Sequence, residues 1–230
     1  MRWIVTALIA LVAGFAGAAA FSYSGLGPDG TRDYLMANPE VLPEAMAELQ
    51  RRDTMARIEP IRSELETPYP GAVLGNPDGT ITLVEFSDYA CGYCRQSLAD
   101  VNALIAANPD LRVVIREYPV LSDGSVDAAR MALAAADQGK FEAFHNAMFA
   151  QDALGAGNIE TAAQVAGLDL EQARARIDAG AYDTQLQNNV FLGQNMRLSG
   201  TPAFIVGDEV LNGAVGAEMI GDAIAEARDS

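Results

Sequence analysis

The chain contains two cysteines, and both lie in one four-residue motif, Cys91-Gly92-Tyr93-Cys94. Two thiols so close cannot make a disulfide-dense scaffold. A bridge across a loop this short stabilises by only roughly 2 kcal/mol in the chain-entropy treatment, well below what a long loop gives. A closed zinc site needs four ligands, and His145, the single histidine, is the only other nitrogen or sulfur donor of the usual kind. Carboxylates or a second subunit would have to finish such a site, whereas Cu(I) is content with thiolates. The fold must therefore come from a core, and hydrophobic residues form 50% of the 230. That fraction excludes a fully disordered chain, and the length suits one domain or one and a half. With 31 acidic and 15 basic side chains the formal charge is −16, which argues against nonspecific nucleic-acid binding.

The N-terminus sets the compartment. Trp3 to Phe21 carries no charge and follows Arg2, and its end is crowded with small residues. Ala16-Gly17-Ala18 and Ala18-Ala19-Ala20 each fit an A-x-A cleavage site, so residues 1–21 read as a signal peptide. The stretch also approaches the ~20 residues of a membrane span, so a retained anchor formed by residues 3–21 competes with it. A buried helix of a soluble core is the third reading. Either of the first two exports the rest of the chain to an oxidising space, where cysteine pairs cycle.

Residues 22–31, with three glycines and a proline, read as a linker. Residues 32–68 read as helical. Leu42, Met46, Leu49, Ile58, Ile61 and Leu65 recur at helical spacing, while Pro43 and Pro60 bound or kink the segment. The Arg51-Arg52-Asp53 run interrupts the apolar stripe and argues against one long coiled coil. Residues 69–230 then alternate in type. Strands are expected at Ala72–Leu74, Ile81–Phe86, Leu111–Tyr118, Ala203–Val206 and Glu209–Leu211, the last two around a Gly207-Asp208 hairpin. Helices are expected at Ser97–Ala107 and Ala217–Arg228. A largely helical block spans Asp127–Gln194, broken near Gly139, Gly155-Ala156-Gly157, Gly167 and Gly180. This order argues for an α/β or α+β sheet with a helical insertion at about 123–197.

A strand ending near Ser87 and a helix opening at Cys91 give that thiol the unpaired N–H groups and positive dipole end of a first helical turn, which favour a thiolate. Cys91 is expected to be the exposed nucleophile. Cys94, one turn inward, is expected to be the buried thiol that resolves a mixed disulfide.

Val84-Glu85-Phe86-Ser87-Asp88-Tyr89-Ala90-Cys91-Gly92-Tyr93-Cys94 resembles the active-site strand and helix start of the DsbA-like thioredoxin-fold oxidoreductases. Ser199-Gly200-Thr201-Pro202-Ala203-Phe204 is similar to their cis-proline loop, and the helical block matches their insertion. The resemblance covers about residues 72–228. The segment Tyr34–Met46 is similar to the N-terminal region of the ScsC-like branch, whose helices promote dimers or trimers, so residues 32–66 are a candidate homo-oligomerising element.

The resemblance implies an α/β, thioredoxin-like fold with an inserted helical domain. It implies a Cys91–Cys94 redox pair, a cis Pro202 that sets the Thr201 backbone beside Cys91 for an extended substrate, and substrate contact at Gly92 and Tyr93. It further implies a buried acid, Glu85, that accepts or relays the Cys94 proton. His145 reads as a packing or surface residue. Gly92-Tyr93 departs from the Pro-His of the strongly oxidising members, so a potential less oxidising than DsbA's about −120 mV is expected. Thr201 resembles isomerase-type members. The implied activity is disulfide formation, reduction or isomerisation in cysteine-containing exported proteins in a bacterial periplasm. It would need a membrane redox partner and no cofactor, metal or nucleic acid. An oligomeric isomerase, a Cu(I)-handling thiol protein and a non-catalytic peptide-binding module are the alternatives.

Overall fold

The computed structural model describes residues 2–23 and 28–229, in two compact units, residues 1–52 and 53–230. In the first unit, α1 (Arg2–Tyr23) is apolar along its length. Arg2–Phe21 is, among the described residues, the one helix long and apolar enough to cross a bilayer, with mean hydropathy 2.3 over 20 residues. The linker expected at 22–31 is shorter than its composition suggests. Helix α1 continues to Tyr23 and α2 (Pro28–Ala37) starts at Pro28, while residues 24–27 lie outside the described residues. Proline is pre-organised for a first helical position, where no intrahelical N–H is needed.

α3 (Val41–Ile58) takes Pro43 in its first turn for the same reason, and runs through Arg51-Arg52-Asp53 unbroken. Glu48 accepts from Arg51 at 2.9 Å and Arg52 at 2.6 Å there, turning the charge run into a paired exposed face. Pro60 sits in a 3₁₀ turn, Glu59–Ile61, which leads into α4 (Arg62–Glu66).

The second unit begins at Asp53, not at residue 69. Ile58 and Leu65 are buried against Val84, Phe86 and Val114, so the end of α3 and α4 complete its core. Its sheet holds β1 (Val73–Gly75), β2 (Ile81–Ser87), β3 (Leu111–Glu117), β4 (Ala203–Val206) and β5 (Glu209–Asn212), ordered β1-β3-β2-β4-β5. β2 and β3 are parallel, joined by α5 (Gly92–Ala107), and the remaining pairs are antiparallel. β2, third of five, is buried on both faces, as its near-continuous apolar run requires.

Five helices fill the stretch between β3 and β4: α6 (Asp123–Asp137), α7 (Phe141–Phe149), α8 (Ala156–Val165), α9 (Leu170–Asp178) and α10 (Asp183–Asn195). The breaks fall where glycine permits a left-handed residue, at Gly139 (φ 66°) and Gly167 (φ 72°) after α6 and α8. One sheet face packs Leu83, Val113 and Phe204 against α5, α6–α9 and α11 (Gly216–Asp229). The other packs Phe86, Val114 and Ile205 against α4 and α10.

Candidate active site

The carboxylate of Asp88, immediately after β2, shapes the turn that ends in the C-x-x-C motif. Its Oδ1 accepts the Ala90 N–H at 2.8 Å, and its backbone oxygen accepts the Cys91 N–H at 3.0 Å. Its Oδ2 accepts the Val120 and Leu121 N–H groups, both at 3.0 Å, tying the loop after β3 to the same turn. Cys91 is the N-cap of α5 in an extended conformation, and α5 begins at Gly92, so the helix opens at Cys91 as expected.

Cys94 lies one turn into α5 at 1% exposure, and both cysteines are free thiols. Cys91, expected to be exposed, is only 7% exposed. The loop before β4 covers it, and the Cys91 Sγ–H donates to the Thr201 carbonyl at 3.1 Å. The Thr201–Pro202 bond is cis, and the Pro202 carbonyl accepts the Gly213 N–H at 2.8 Å. Gly92 and Tyr93 stand exposed beside the pair. The fold thus brings positions 91–94 and 201–202 together across more than a hundred residues.

Glu85 lies in β2, paired with Ile115 on one side and Phe204 on the other, and is 3% exposed. Burial pushes its carboxyl up to about 7, opposed by the Ser87 hydroxyl. Burial, and next the Glu85 charge, push the Cys94 thiol up; the Asp88 backbone and the Thr201 and Ser87 hydroxyls act against this. Neither hydroxyl makes a hydrogen bond of ordinary geometry.

A second buried group went unnoticed in the sequence. Tyr89 Oη donates to Glu117 Oε1 at 3.0 Å and lies 3.0 Å from His145 Nδ1. His145 sits on α7 among Phe141, Phe149 and Tyr89, and burial lowers it to about 3, so it is neutral in the folded protein. Glu117 is held well above the usual carboxylate range by burial, with Asp88 and Glu85 adding to the effect and Tyr89 opposing it. The one sequence signal for it is the charged Arg116-Glu117 pair that closes β3 after Val113-Val114-Ile115. Among the described residues no group of three or more His, Cys, Asp and Glu side chains is arranged to hold a metal.

A C-x-x-C pair at a helix start, facing a cis-proline loop on a mixed sheet with inserted helices, defines the thioredoxin-fold thiol–disulfide oxidoreductases of the DsbA-like type. Residues 68–226 match the family described as Thioredoxin, and the chain belongs to it. Residues 32–55 match the Copper resistance protein ScsC N-terminal domain.

Among solved structures, a thioredoxin-like oxidoreductase from Silicibacter pomeroyi DSS-3 is 39% identical (TM-score 0.70, 74% of this chain and 98% of that one). BcfH of Salmonella enterica Typhimurium is 29% identical (TM-score 0.66, 93% and 99%). ScsC of Proteus mirabilis in a transitional conformation is 26% identical (TM-score 0.64, 86% and 91%). The Na(+)/H(+) antiporter NhaA 1 of Mycobacterium sp. (strain KMS) is 32% identical over 140 residues, which are 58% of this chain. The match takes in 23% of that protein, so this chain spans about a quarter of the length of the curated relatives it matches.

Proposed function

We propose that this protein exchanges disulfides with cysteine-containing exported proteins through Cys91 and Cys94. The observation that carries the reading is the 3.1 Å contact between Cys91 Sγ and the Thr201 carbonyl beside a cis Pro202. It leaves backbone next to the nucleophile, where an extended substrate can add as a strand. In the oxidising direction a substrate thiolate attacks Cys91 of the Cys91–Cys94 disulfide. Cys94 leaves as a thiolate, and its proton is returned through Glu85. A second substrate thiolate then displaces Cys91, so the substrate loses two electrons and the pair gains them. Reduction and isomerisation begin instead with the Cys91 thiolate on a substrate disulfide. Gly92 and Tyr93, exposed at the rim, contact the substrate.

The apolar α1 helix supports export to a periplasm, with residues 3–21 as signal or inner-membrane anchor, and a membrane redox partner would reset the pair. A second reading, an oligomeric isomerase, is favoured by the ScsC N-terminal match at 32–55 and by the exposed Tyr34, Met36, Leu42, Met46 and Leu49. Scrambled-RNase refolding by the full chain and by a form starting at Asp53 separates the two. Truncation near Pro70 would strip Ile58 and Leu65 from the core.

The test of the exchange reading is Cys91→Ser. Insulin reduction and scrambled-RNase refolding should vanish. Full activity in that variant, or stoichiometric Cu(I) on a wild-type protein that exchanges no disulfides, refutes the reading.

A further inference from the structure

The sheet register sets a second carboxyl beside the first. β2 and β3 pair Glu85 with Ile115 and Ser87 with Glu117. Paired positions, and positions two apart on a strand, share a sheet face. Glu85, Ser87, Ile115 and Glu117 therefore point toward the layer that holds Cys94 and Tyr89. With strands ~4.8 Å apart and ~6.7 Å per two-residue repeat, Ser87 stands at the corner between the two acids.

Both carboxyls are buried, at 3% and 1% exposure. The Ser87 hydroxyl, buried as well, faces both the Glu85 carboxyl and the Cys94 thiol, and makes no hydrogen bond of ordinary geometry. Tyr89 has one hydroxyl proton for two partners. Either a protonated Glu117 donates to Tyr89 and Tyr89 donates to His145, or His145 Nδ1–H donates to Tyr89 and Tyr89 donates to an ionised Glu117. Both arrangements satisfy both contacts, so this network can hold Glu117 with or without its proton.

We propose that Glu85 and Glu117 form one two-carboxyl proton site with Ser87 between them, in which Glu117 is a positioning residue. It holds one proton, so that Glu85 is the member that takes up the proton of Cys94. The proposal rests on the exchange reading above.

The groups facing Glu117 are Glu85 and Ser87 of β2 and Asp88 and Tyr89 of the turn, with His145 of α7 reached through Tyr89. No cation among the described residues offsets the two acids. The neighbouring Arg116 turns to the opposite face and donates to the Leu65 and Thr67 carbonyls. Two carboxylates in one dry site resist ionising together, and their protons leave in two separate steps that belong to the pair.

During resolution of a mixed disulfide the Cys94 S–H proton passes to the Glu85 carboxylate. The Cys94 sulfur bonds to Cys91, and the bond between Cys91 and the substrate sulfur breaks. The substrate leaves as a thiolate that water protonates; it gains two electrons and the cysteine pair loses them.

The test mixes the full-length reduced protein with excess of the aromatic disulfide DTNB and follows the two releases of thionitrobenzoate by stopped flow. The first reports Cys91 and the second reports Cys94. The rate of the second release against pH should show two carboxyl midpoints in wild type, separated by about one pH unit or more. Glu117→Gln should lose the upper midpoint and Glu85→Gln the lower. A purely structural Glu117 would change stability and leave both midpoints in place, and superimposed wild-type and Glu117→Gln profiles overturn the proposal.

Should Glu117→Gln fail to fold, Ser87→Ala and infrared redox-difference spectra decide the matter. Two protonated-carboxyl bands should respond to oxidation in wild type, and Ser87→Ala should slow the second release several-fold. A single responding band, or an unslowed second release, counts against the pair. Absence of even the first release from wild type would instead defeat the exchange reading itself.

Discussion

Replacing Glu85 by glutamine should make the reduced protein more stable at alkaline pH while impairing the second half of its exchange reaction. The carboxyl is 3% exposed and is displaced from 4.5 to about 7, with burial as the leading cause. In an unfolded chain it ionises near 4.5, whereas the folded protein keeps its proton until about 7. Between those values the native state binds more protons than the unfolded state, so stability falls as pH rises, and the full penalty is present above about 7. At ~1.4 kcal/mol per pH unit that penalty is about 3 kcal/mol.

Glutamine does not titrate, so the variant's advantage over wild type should grow through this window by about 3 kcal/mol. That corresponds to roughly 6–12 °C in Tm for a domain of this size. A buried amide carries a desolvation cost of its own, but that cost is the same at every pH, which makes the slope the quantity to measure. Urea unfolding of both reduced proteins, followed by circular dichroism from pH 4 to about pH 8, supplies it. Parallel stability curves would refute the reasoning, because they would mean that Glu85 ionises alike in folded and unfolded chains.

Two further perturbations probe the surroundings of the site. His145, lowered to about 3 by burial, must gain a proton as the chain unfolds in acid, so stability present above 6.5 is lost as pH falls from there toward about 3. The loss amounts to about 5 kcal/mol at most, and His145→Gln should flatten the acid limb of the stability curve; an unchanged acid limb contradicts this. Arg116 donates to the Leu65 carbonyl at 3.0 Å, the Thr67 carbonyl at 2.5 Å and Asn189 Oδ1 at 3.2 Å, besides a bond to the Glu64 carbonyl. Arg116→Met keeps the volume but orphans these carbonyls, and should cost about 3 kcal/mol by urea denaturation and expose α4 to proteolysis; a loss below 1 kcal/mol, on the order of one net hydrogen bond, would contradict it.

Much of this site could be read directly from the residues. Ile81–Phe86 and Leu111–Tyr118 are apolar and β-branched enough to declare buried strands, and Gly139, Gly167 and Gly180 punctuate the helices where the chain does turn. Where the structure departs from what the sequence leads one to expect, the cause is context. Pro28 looked like a linker residue, yet proline is acceptable as the first residue of a helix. Residues 53–66 looked separable from the domain after them because amphipathic spacing does not say which surface covers the apolar stripe. Glu117 had no local signal beyond an acid at a strand end, since Tyr89, which links it to His145, lies 28 residues from Glu117 and 56 from His145.

By itself the sequence determined what is local or compositional. It set the positions of the strands and helices, the confinement of both thiols to one helix start, the apolar N-terminal segment and the acidic balance that argues against nonspecific nucleic-acid binding. The tertiary structure decided what depends on distant chain segments meeting. It brought the Thr201 carbonyl over Cys91, burying a thiol that its helix-mouth position had suggested was open. It also placed Glu85 and Glu117 on one dry sheet face. The physical reason is that spacing along the chain sets backbone conformation, while solvation, and with it the acidity of every buried group, is set by which elements pack on top.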